Sequence, residues 1–350
     1  MTELSQRLTS LARSAARGRG IVRDIRDRQP PELRTGGPPG ATTVYYLTPH
    51  FDGPSGGVRM LYRHVDVLNE AGIPAAVVHA RRNFRCTWFE NSTRVVSSDE
   101  VVLGPDDLLV VPEYYAVGLA RLPSDVRVVV LNQGAYHSFD SIEPGTGAPG
   151  TPYTELTSLV AVLCVSQDNK ALLELTNPGV PISVCRPVVD ASLFHPGETT
   201  PGRRIGYVVA RRPLEAALLE HVLHAQRVDW PVVRIQGLPE REVAARMREC
   251  AVFVSLSDLD GFGLPPAEAM ASGSCGVGYT GGGGEECFDP SGSAPTTSFR
   301  GLADATLAAT RRPLDELAAL GRRASEHVLG HYTAAGLRAD LEAAFAGLLR

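Results

Sequence analysis

The sequence predicts an α/β protein of two domains, each built around a parallel sheet. Short apolar runs alternate with helical segments and polar loops along most of the chain, a pattern typical of buried parallel strands. A strand, a glycine-rich turn and a helix follow one another twice, at 42–70 and at 251–271. A Pro/Gly/Thr stretch at 196–203 separates the two series, and 350 residues suit two domains of ordinary size.

Composition excludes several classes of protein. The net charge of −5 gives no support to a nucleic-acid partner. The six cysteines show neither a Cys-x-x-Cys pair nor a metal-ligand spacing, so we expect them to be buried thiols in a reducing compartment. No apolar run approaches the ~20 residues that span a bilayer, and the N-terminus lacks the apolar core of a signal peptide. We expect a cytoplasmic protein.

The first 41 residues are predicted to be a basic extension and a linker. Residues 1–28 contain seven arginines, and Leu4, Leu8 and Leu11 fall on one helical face. Such a segment is either a basic amphipathic helix at the inner face of an anionic membrane, or a solvated extension. Residues 29–40 are rich in proline and glycine, which is typical of a linker.

The first α/β series starts with an apolar strand at 42–47. A glycine-rich loop follows, and a helix is predicted from Arg59 to Glu70. Gly56 and Gly57 would allow the backbone to approach a ligand, and the free N–H groups of a helix start favour phosphate. The alternative for this loop is a tight strand–helix turn without a ligand.

Further strands are predicted at 75–79, 108–112, 126–132, 161–165 and 182–186. Open α/β sheets bind ligands beyond the carboxyl ends of their strands. The polar and aromatic residues found there are candidates for the acceptor side: Glu113, Tyr114, Tyr115, Gln133, Tyr136 and His137. His137 is either a base or hydroxyl contact, or a structural residue. We expect the glycine- and proline-rich segment 138–152 to be a mobile loop over the cleft.

The second series starts with a strand at 205–209. Arg211 and Arg212 follow it, and Pro213 opens a helix. Arginine suits bidentate contacts to phosphate, although a solvated basic turn is the alternative. A strand at 232–236, a helix at 240–249 and a strand at 251–254 complete the series. We predict the last helices at 301–310, 314–329 and 334–349.

The stretch from 256 to 284 combines a tight turn, a helix start with two prolines and a loop of four glycines. Asp260 lies in the turn and Glu268 about one helical turn into the helix. Carboxylates only accept hydrogen bonds, so a pair beside an anion site suits a ligand with phosphates and vicinal hydroxyls, such as a sugar nucleotide. The alternative is a capped turn with a solvated acidic helix start.

The segment from Asp260 to Gly273 resembles the nucleotide-sugar signature of retaining glycosyltransferases of the GT-B fold, family 4. The usual form is Glu-Gly-Phe-Gly-Leu-Pro-x-x-Glu-Ala-Met-Ala-x-Gly, and this chain reads DGFGLPPAEAMASG. The Gly56-Gly57-Val58 loop is similar to a loop of the family's N-terminal domain. The resemblance covers roughly 42–349. It implies two Rossmann-like domains facing a central cleft: an acceptor domain at 42–198, a nucleotide-sugar domain at 199–330, and a C-terminal helix at 331–350 crossing back.

The resemblance also implies roles for individual residues. Glu268 would hold the ribose and Asp260 would meet the donor sugar, although the family has Glu where this chain has the shorter Asp260. That departure would alter the sugar contact, the choice of sugar or the rate. Arg211 and Arg212 would clamp the diphosphate. The remaining donor-binding positions are Gly56 and Gly57 by the phosphates, Gly237 by the base, and Gly261, Phe262, Gly263 and Leu264 in the turn.

The expected reaction transfers a sugar, with retention, from a nucleotide-diphosphate sugar to a saccharide, lipid-linked or small-molecule acceptor, without metal or cofactor. Two alternatives use the same fold: a catalytically inactive sugar-nucleotide-binding partner, and another enzyme such as an epimerase or phosphorylase. Asp258-Leu259-Asp260 resembles a metal-binding Asp-x-Asp motif. Gly276 to Gly281 matches a dinucleotide fingerprint, which would indicate a dehydrogenase, but no helix-forming run follows it.

Overall fold

The computed structural model describes residues 28–140, 142–143, 145–147, 152–177, 179–289 and 291–349. The predicted basic helix and its membrane contact therefore lie almost wholly outside the described residues, as does part of the predicted loop at 138–152. No helix among the described residues is long and apolar enough to cross a membrane.

The first domain is built on a parallel sheet of seven strands. In chain order these are β2 (Val44–Leu47), β3 (Ala75–His79), β4 (Val95–Ser97), β6 (Leu108–Pro112), β7 (Arg127–Asn132), β8 (Leu159–Cys164) and β9 (Ile182–Val184). Their order across the sheet is β4-β3-β2-β6-β7-β8-β9. The apolar runs form central strands because both faces are covered, so that every residue of β3 and β6 is buried. Two short strands, β1 (Arg34–Thr35) and β5 (Val102–Leu103), pair separately.

The second domain has a parallel sheet of five strands. These are β10 (Gly202–Val208), β11 (Val232–Ile235), β12 (Cys250–Leu256), β13 (Cys275–Tyr279) and β14 (Ser293–Pro295), in the order β11-β10-β12-β13-β14. In both sheets the strand order reverses beside the first strand of the domain. The reversal lies between β2 and β6 in the first sheet, and between β10 and β12 in the second. Ligands of doubly wound sheets bind at such switch points.

Eight α-helices are found in the described part of the chain. They are α1 (Gly56–Glu70), α2 (Gln167–Thr176), α3 (Pro213–Ala225), α4 (Glu240–Arg248), α5 (Leu264–Ala271), α6 (Phe299–Thr310), α7 (Leu314–His331) and α8 (Ala334–Phe345). Short 3-10 helices occupy Glu113–Arg121, Ala135–His137, Tyr153–Glu155 and Glu285–Cys287. Pro213 opens α3, where its missing N–H removes no helical hydrogen bond.

The last helix crosses back to the first domain. Leu337, Leu341 and Phe345 on α8 are fully buried in the core that also covers one face of the first sheet. Arg186, which follows β9, forms an ion pair at 2.8 Å with Asp340 of α8. The C-terminal helix therefore joins the two domains, as the resemblance implied.

The passage between the domains begins before the Pro/Gly/Thr stretch. Val189 and Phe194 are buried in the core of the second domain, together with Phe253 and Met270. All six cysteines are buried and unpaired, and they contribute to the cores as small side chains.

Candidate active site

A cavity of about 680 Å³ lies between the two sheets, at the carboxyl ends of their strands. Residues following β2 and β6 line it from the first domain, and residues following β10, β11 and β12 line it from the second. Both switch points thus face one cavity. This geometry follows from the parallel topology, because all carboxyl ends of one sheet lie at the same edge.

The first domain contributes the N-terminus of α1. The Ser55 hydroxyl accepts a hydrogen bond from the Val58 amide at 3.4 Å and caps the helix. Gly56 and Gly57 are the first two residues of the helix and line the cavity. A Cβ on Gly56 would lie 2.7 Å from Leu264 of the second domain, so glycine allows the two domains to approach each other here.

The second domain contributes the N-terminus of α5. Gly263 precedes the helix with φ of 82°, a conformation that glycine adopts without strain. Pro265 and Pro266 follow Leu264 at the helix start and carry no N–H. The amides of Gly263 and Leu264 are therefore the donors that this helix start presents to the cavity. Two positive helix ends, one from each domain, converge on the same space.

Glu268 lies inside α5 and is 6% exposed. Its Oε1 accepts a hydrogen bond from Arg59, and the other terminal nitrogen of Arg59 binds Glu240. Burial raises the pKa of Glu268, although the Arg59 charge opposes that shift. The Glu268 and Glu240 charges outweigh burial and raise the pKa of Arg59. Glu268 is thus a nearly buried acceptor at the cavity wall, held by a residue of the other domain.

Asp260 pairs with Arg211 at 3.1 Å, and both residues line the cavity. Asp258, two residues earlier, pairs instead with Arg212 at 2.7 Å. Leu259 between the two acids has φ of 50°, in the left-handed region, and the acids on either side of it pair with different guanidiniums. The Asp-x-Asp motif therefore does not form a joint carboxylate site in this conformation. No cluster of three metal-ligating side chains occurs among the described residues.

Arg212 does not line the cavity, although the sequence placed it beside Arg211 as a phosphate clamp. Its guanidinium donates to the Ser257 carbonyl at 3.1 Å and binds Glu215 at 3.0 Å. It also lies 4.2 Å above the Tyr279 ring. Its left-handed backbone, with φ of 44°, directs it away from its neighbour. The structure thus engages Arg212 in a network that supports the turn before Asp260.

The other donor-side candidates lie at the cavity. Gly237 follows β11 with φ of 64° and lines the wall. Gly261, Phe262, Gly263 and Leu264 also line it. Phe262 is buried, and its ring packs against Tyr332, with centroids 4.7 Å apart.

On the acceptor side the structure separates the predicted residues. Tyr114 and Gln133 line the cavity, and the Gln133 amide donates to the Gly57 carbonyl at 3.2 Å. Tyr115 is buried in the core on the far side of its short 3-10 helix, 3% exposed. Tyr136 does not line the cavity and donates to Asp168 at 2.9 Å. Burial and this carboxylate raise the pKa of Tyr136 to about 12.

Glu113 and His137 lie at the same end of the cavity. His137 is exposed and pairs with Asp140 at 3.2 Å. One carboxylate oxygen of Glu113, Oε2, is buried and has no hydrogen-bond partner. Burial raises the pKa of Glu113, while the backbone amides of Gln133 and Glu113 oppose the shift. The carboxylate of Glu113 is therefore a largely buried polar group at this end of the cavity.

An aromatic wall adjoins this end of the cavity. The rings of Phe51 and Tyr114 lie 5.7 Å apart, nearly edge to face. The Trp88 indole donates to the Phe51 carbonyl at 3.2 Å, and all three side chains line the cavity. Binding pockets commonly combine such apolar surface with a few polar groups that orient the ligand.

The dinucleotide fingerprint at 276–281 lacks its structural context. Cys275–Tyr279 is a buried strand, and the glycines after it form a turn that leads only into the 3-10 helix Glu285–Cys287. A dinucleotide site needs a helix opening directly from the glycine turn. Nothing in this segment provides one.

Sequence reasoning did not identify Arg59 or Glu240 as site residues, whereas it named Glu113 among the acceptor-side candidates. Arg59 directly follows Gly56-Gly57-Val58 in the sequence. Its place beside this predicted ligand-binding loop was the feature from which it could have been identified. Glu240 was identified only as the start of a helix. Their contact joins positions 181 residues apart, which no local pattern indicates.

Comparisons with known proteins agree with the fold. No protein-family model matches the chain. An alpha-1,6-glucosyltransferase of Actinobacillus pleuropneumoniae serotype 7 (strain AP76) is 26% identical over 237 residues, which are 65% of this chain and 69% of that protein. Sucrose-phosphate synthase from Thermosynechococcus elongatus superposes with a TM-score of 0.66 at 13% identity, over 88% of this chain and 99% of that one. HepE from Anabaena, solved with UDP and glucose, superposes with a TM-score of 0.60 at 12% identity, over 88% of this chain and 100% of that one. The chain therefore has the GT-B glycosyltransferase fold, with two Rossmann-like domains facing a central cleft.

Proposed function

We propose that the protein is a retaining glycosyltransferase of family 4, which moves a sugar from a nucleotide-diphosphate sugar to a hydroxyl acceptor. One observation carries this proposal. Asp260 and Glu268, the two acids of the signature, line the same cavity as the glycine-rich helix start of the other domain. The 26% identity to an alpha-1,6-glucosyltransferase supports the same class of reaction.

The donor that we would try first is UDP-glucose. HepE was solved with UDP and glucose, and the relative of known function is a glucosyltransferase. In this chain Glu268 has one oxygen bound to Arg59, and no partner among the described residues reaches the other, Oε2. That oxygen is suited to accept a ribose hydroxyl. Asp260 would take a hydroxyl of the donor sugar.

Catalysis would depend mainly on stabilising the leaving diphosphate. Arg211 and the N-termini of α1 and α5 present positive charge and N–H dipoles to the cavity. These groups are fixed by the fold before the donor binds, so little reorganisation is needed when negative charge develops. We propose that this arrangement operates without a metal ion.

The acceptor would enter from the first domain. Glu113 places a carboxylate at this end of the cavity, and His137 lies beside it. Phe51 and Tyr114 provide an apolar wall at this end of the cavity. We therefore favour a saccharide acceptor or the sugar portion of a glycoconjugate over a purely apolar molecule.

The test is release of the nucleoside diphosphate from UDP-, GDP-, dTDP- and ADP-sugars, with thermal-shift binding measured in parallel. EDTA is present in one arm, and Glu268→Ala is the matched variant. We expect one donor to stabilise the protein and to be hydrolysed slowly with EDTA present. Binding without turnover, even with cell-extract acceptors, would favour the inactive-partner alternative. If no nucleotide binds, the proposed function is wrong.

A further inference from the structure

Three charged side chains from different elements meet at the centre of the cleft. Arg59 belongs to α1 of the first domain, whereas Glu240 and Glu268 belong to α4 and α5 of the second. Arg59 binds both carboxylates at once. Its side chain is 15% exposed and that of Glu268 8% exposed, so water screens this cluster only weakly. All three residues line the cavity.

The charges of the cavity wall make Arg59 important for any anionic ligand. Among the described residues, four carboxylates line the cavity, those of Glu113, Glu240, Asp260 and Glu268. Two guanidiniums from the same part of the chain face them, those of Arg59 and Arg211. Arg212, the other arginine of the predicted clamp, is engaged outside the cavity. Without Arg59 the wall would repel a diphosphate more strongly.

We propose that Arg59 is a positioning residue of the donor site: it holds Glu268 in the ionised, acceptor-only form and ties that carboxylate to the first domain. The inference rests on the proposed function, since it assigns Glu268 to the donor. Arg59 binds Oε1 and leaves Oε2 for a hydroxyl of the ligand. The proposed donor-binding carboxylate is therefore also one of the points at which the two domains contact each other.

Because Arg59 of the first domain binds Glu268 of the second, this contact links the closure of the domains to the ionisation of Glu268. The groups that face Glu268 are Arg59, which favours its ionised form, and Glu240, which disfavours it. Burial also disfavours the ionised form. When Arg59 is removed, only the two unfavourable influences remain, so Glu268 takes up a proton at higher pH. The same change removes a cross-domain contact beside the Gly56–Leu264 approach.

The test uses the full chain with Arg59→Met, which keeps an unbranched apolar stem without the charge, and Arg59→Lys, which restores the charge. Arg82→Met is the matched control. Arg82 follows β3, pairs with Asp99 of the same domain and does not line the cavity. Thermal unfolding is measured for each variant, to establish that it folds.

The first readout needs no ligand. Small-angle X-ray scattering of the ligand-free protein reports the separation of the domains. We expect Arg59→Met to increase the radius of gyration, Arg59→Lys to restore most of the wild-type value, and Arg82→Met to leave it unchanged. An unchanged scattering curve for Arg59→Met would overturn the proposed tie between the domains, even if the protein proves not to bind nucleotides.

The second readout is the Kd of the donor identified above, measured between pH 6 and pH 9. We expect Arg59→Met to weaken binding at least tenfold at pH 7 and to recover part of the loss as pH rises, because Glu268 ionises again. Wild type and Arg82→Met should change little over this range. A wild-type Kd and pH profile in Arg59→Met would overturn the inference while leaving the proposed function intact.

Discussion

Gly261 lies so close to Gln133 that a Cβ on Gly261 would be 1.9 Å from the Gln133 carbonyl oxygen. The two residues belong to different domains and both line the cavity. A similar approach brings Gly282 to the Tyr136 hydroxyl, at 2.4 Å from a built Cβ. Glycines thus lie where the two domains approach each other closely. Because they have no side chain, the backbones on the two sides of the cleft can come into contact.

Replacing Gly261 by Ala should therefore impair catalysis without unfolding the protein. The obstructing atom is backbone, which cannot rotate away, so the domains must move apart. A misplacement near 1 Å reduces rates on the order of a hundredfold. We expect kcat/KM to fall by more than about tenfold. The control is Gly53→Ala, since a Cβ there meets nothing within 4 Å. Activity of Gly261→Ala within threefold of wild type would contradict this account.

Glu268→Ala should lower kcat/KM by about tenfold to a hundredfold, because a charge-assisted hydrogen bond contributes roughly 1.5–3 kcal/mol. The measurement is donor turnover at saturating acceptor. A loss below threefold would remove Glu268 from the donor site.

Glu268→Gln should change how the stability of the protein depends on pH. Burial raises the pKa of Glu268 above its ordinary value of 4.5, so its stabilising contribution is lost as pH rises through the raised pKa. The amide cannot ionise and avoids this loss. We expect the Tm difference between Glu268→Gln and wild type to shift in favour of the variant as pH rises from 5 to 8. A Tm that falls further below wild type as pH rises would contradict the sign of the shift.

Arg211→Ala and Arg212→Ala should affect different properties. Arg211 is half exposed and its pair with Asp260 adds little to stability. We expect its removal to raise the donor Kd about tenfold or more, since a charged contact to phosphate is lost. Arg212 supports the turn through Ser257 and the Tyr279 ring, so its removal should lower the Tm more than that of Arg211. Equal effects of both variants on the donor Kd would support the original prediction that Arg211 and Arg212 together bind the diphosphate.

Most strands of the two sheets could be predicted from the sequence. The strands at Ala75–His79 and Leu108–Pro112 were predicted at the observed bounds, because a parallel strand buried on both faces is a short apolar run. The turn before α5 was predicted from its glycines and prolines, whose backbone requirements are local. The short edge strands β4, β5 and β14 were not predicted, since two or three residues carry no detectable periodicity.

The orientation of side chains near the site was less predictable. Tyr114 and Tyr115 are adjacent in sequence, yet only Tyr114 reaches the cavity, because a 3-10 helix follows β6 and turns Tyr115 into the core. Arg211 and Arg212 diverge for a comparable reason, the left-handed backbone at Arg212. The contacts of Arg59 depend on how the two domains pack together, and a short stretch of sequence carries no information about that packing.

Glu113→Gln should separate transfer from donor hydrolysis. Burial raises the pKa of Glu113, so the carboxylate of a wild-type enzyme loses its charge as pH falls through that raised value. If the ionised form receives the acceptor hydroxyl, transfer by wild type declines on the acid side, and Glu113→Gln lacks this acid limb because its amide does not titrate. The carbonyl oxygen of the amide still accepts a hydrogen bond, so we expect a transfer rate reduced by about tenfold, with donor hydrolysis within about threefold of wild type. The measurement is the pH profile of transfer and of donor hydrolysis, with Asp140→Asn as the control because Asp140 pairs with His137 at the surface. An identical acid limb in Glu113→Gln would assign that titration to another group.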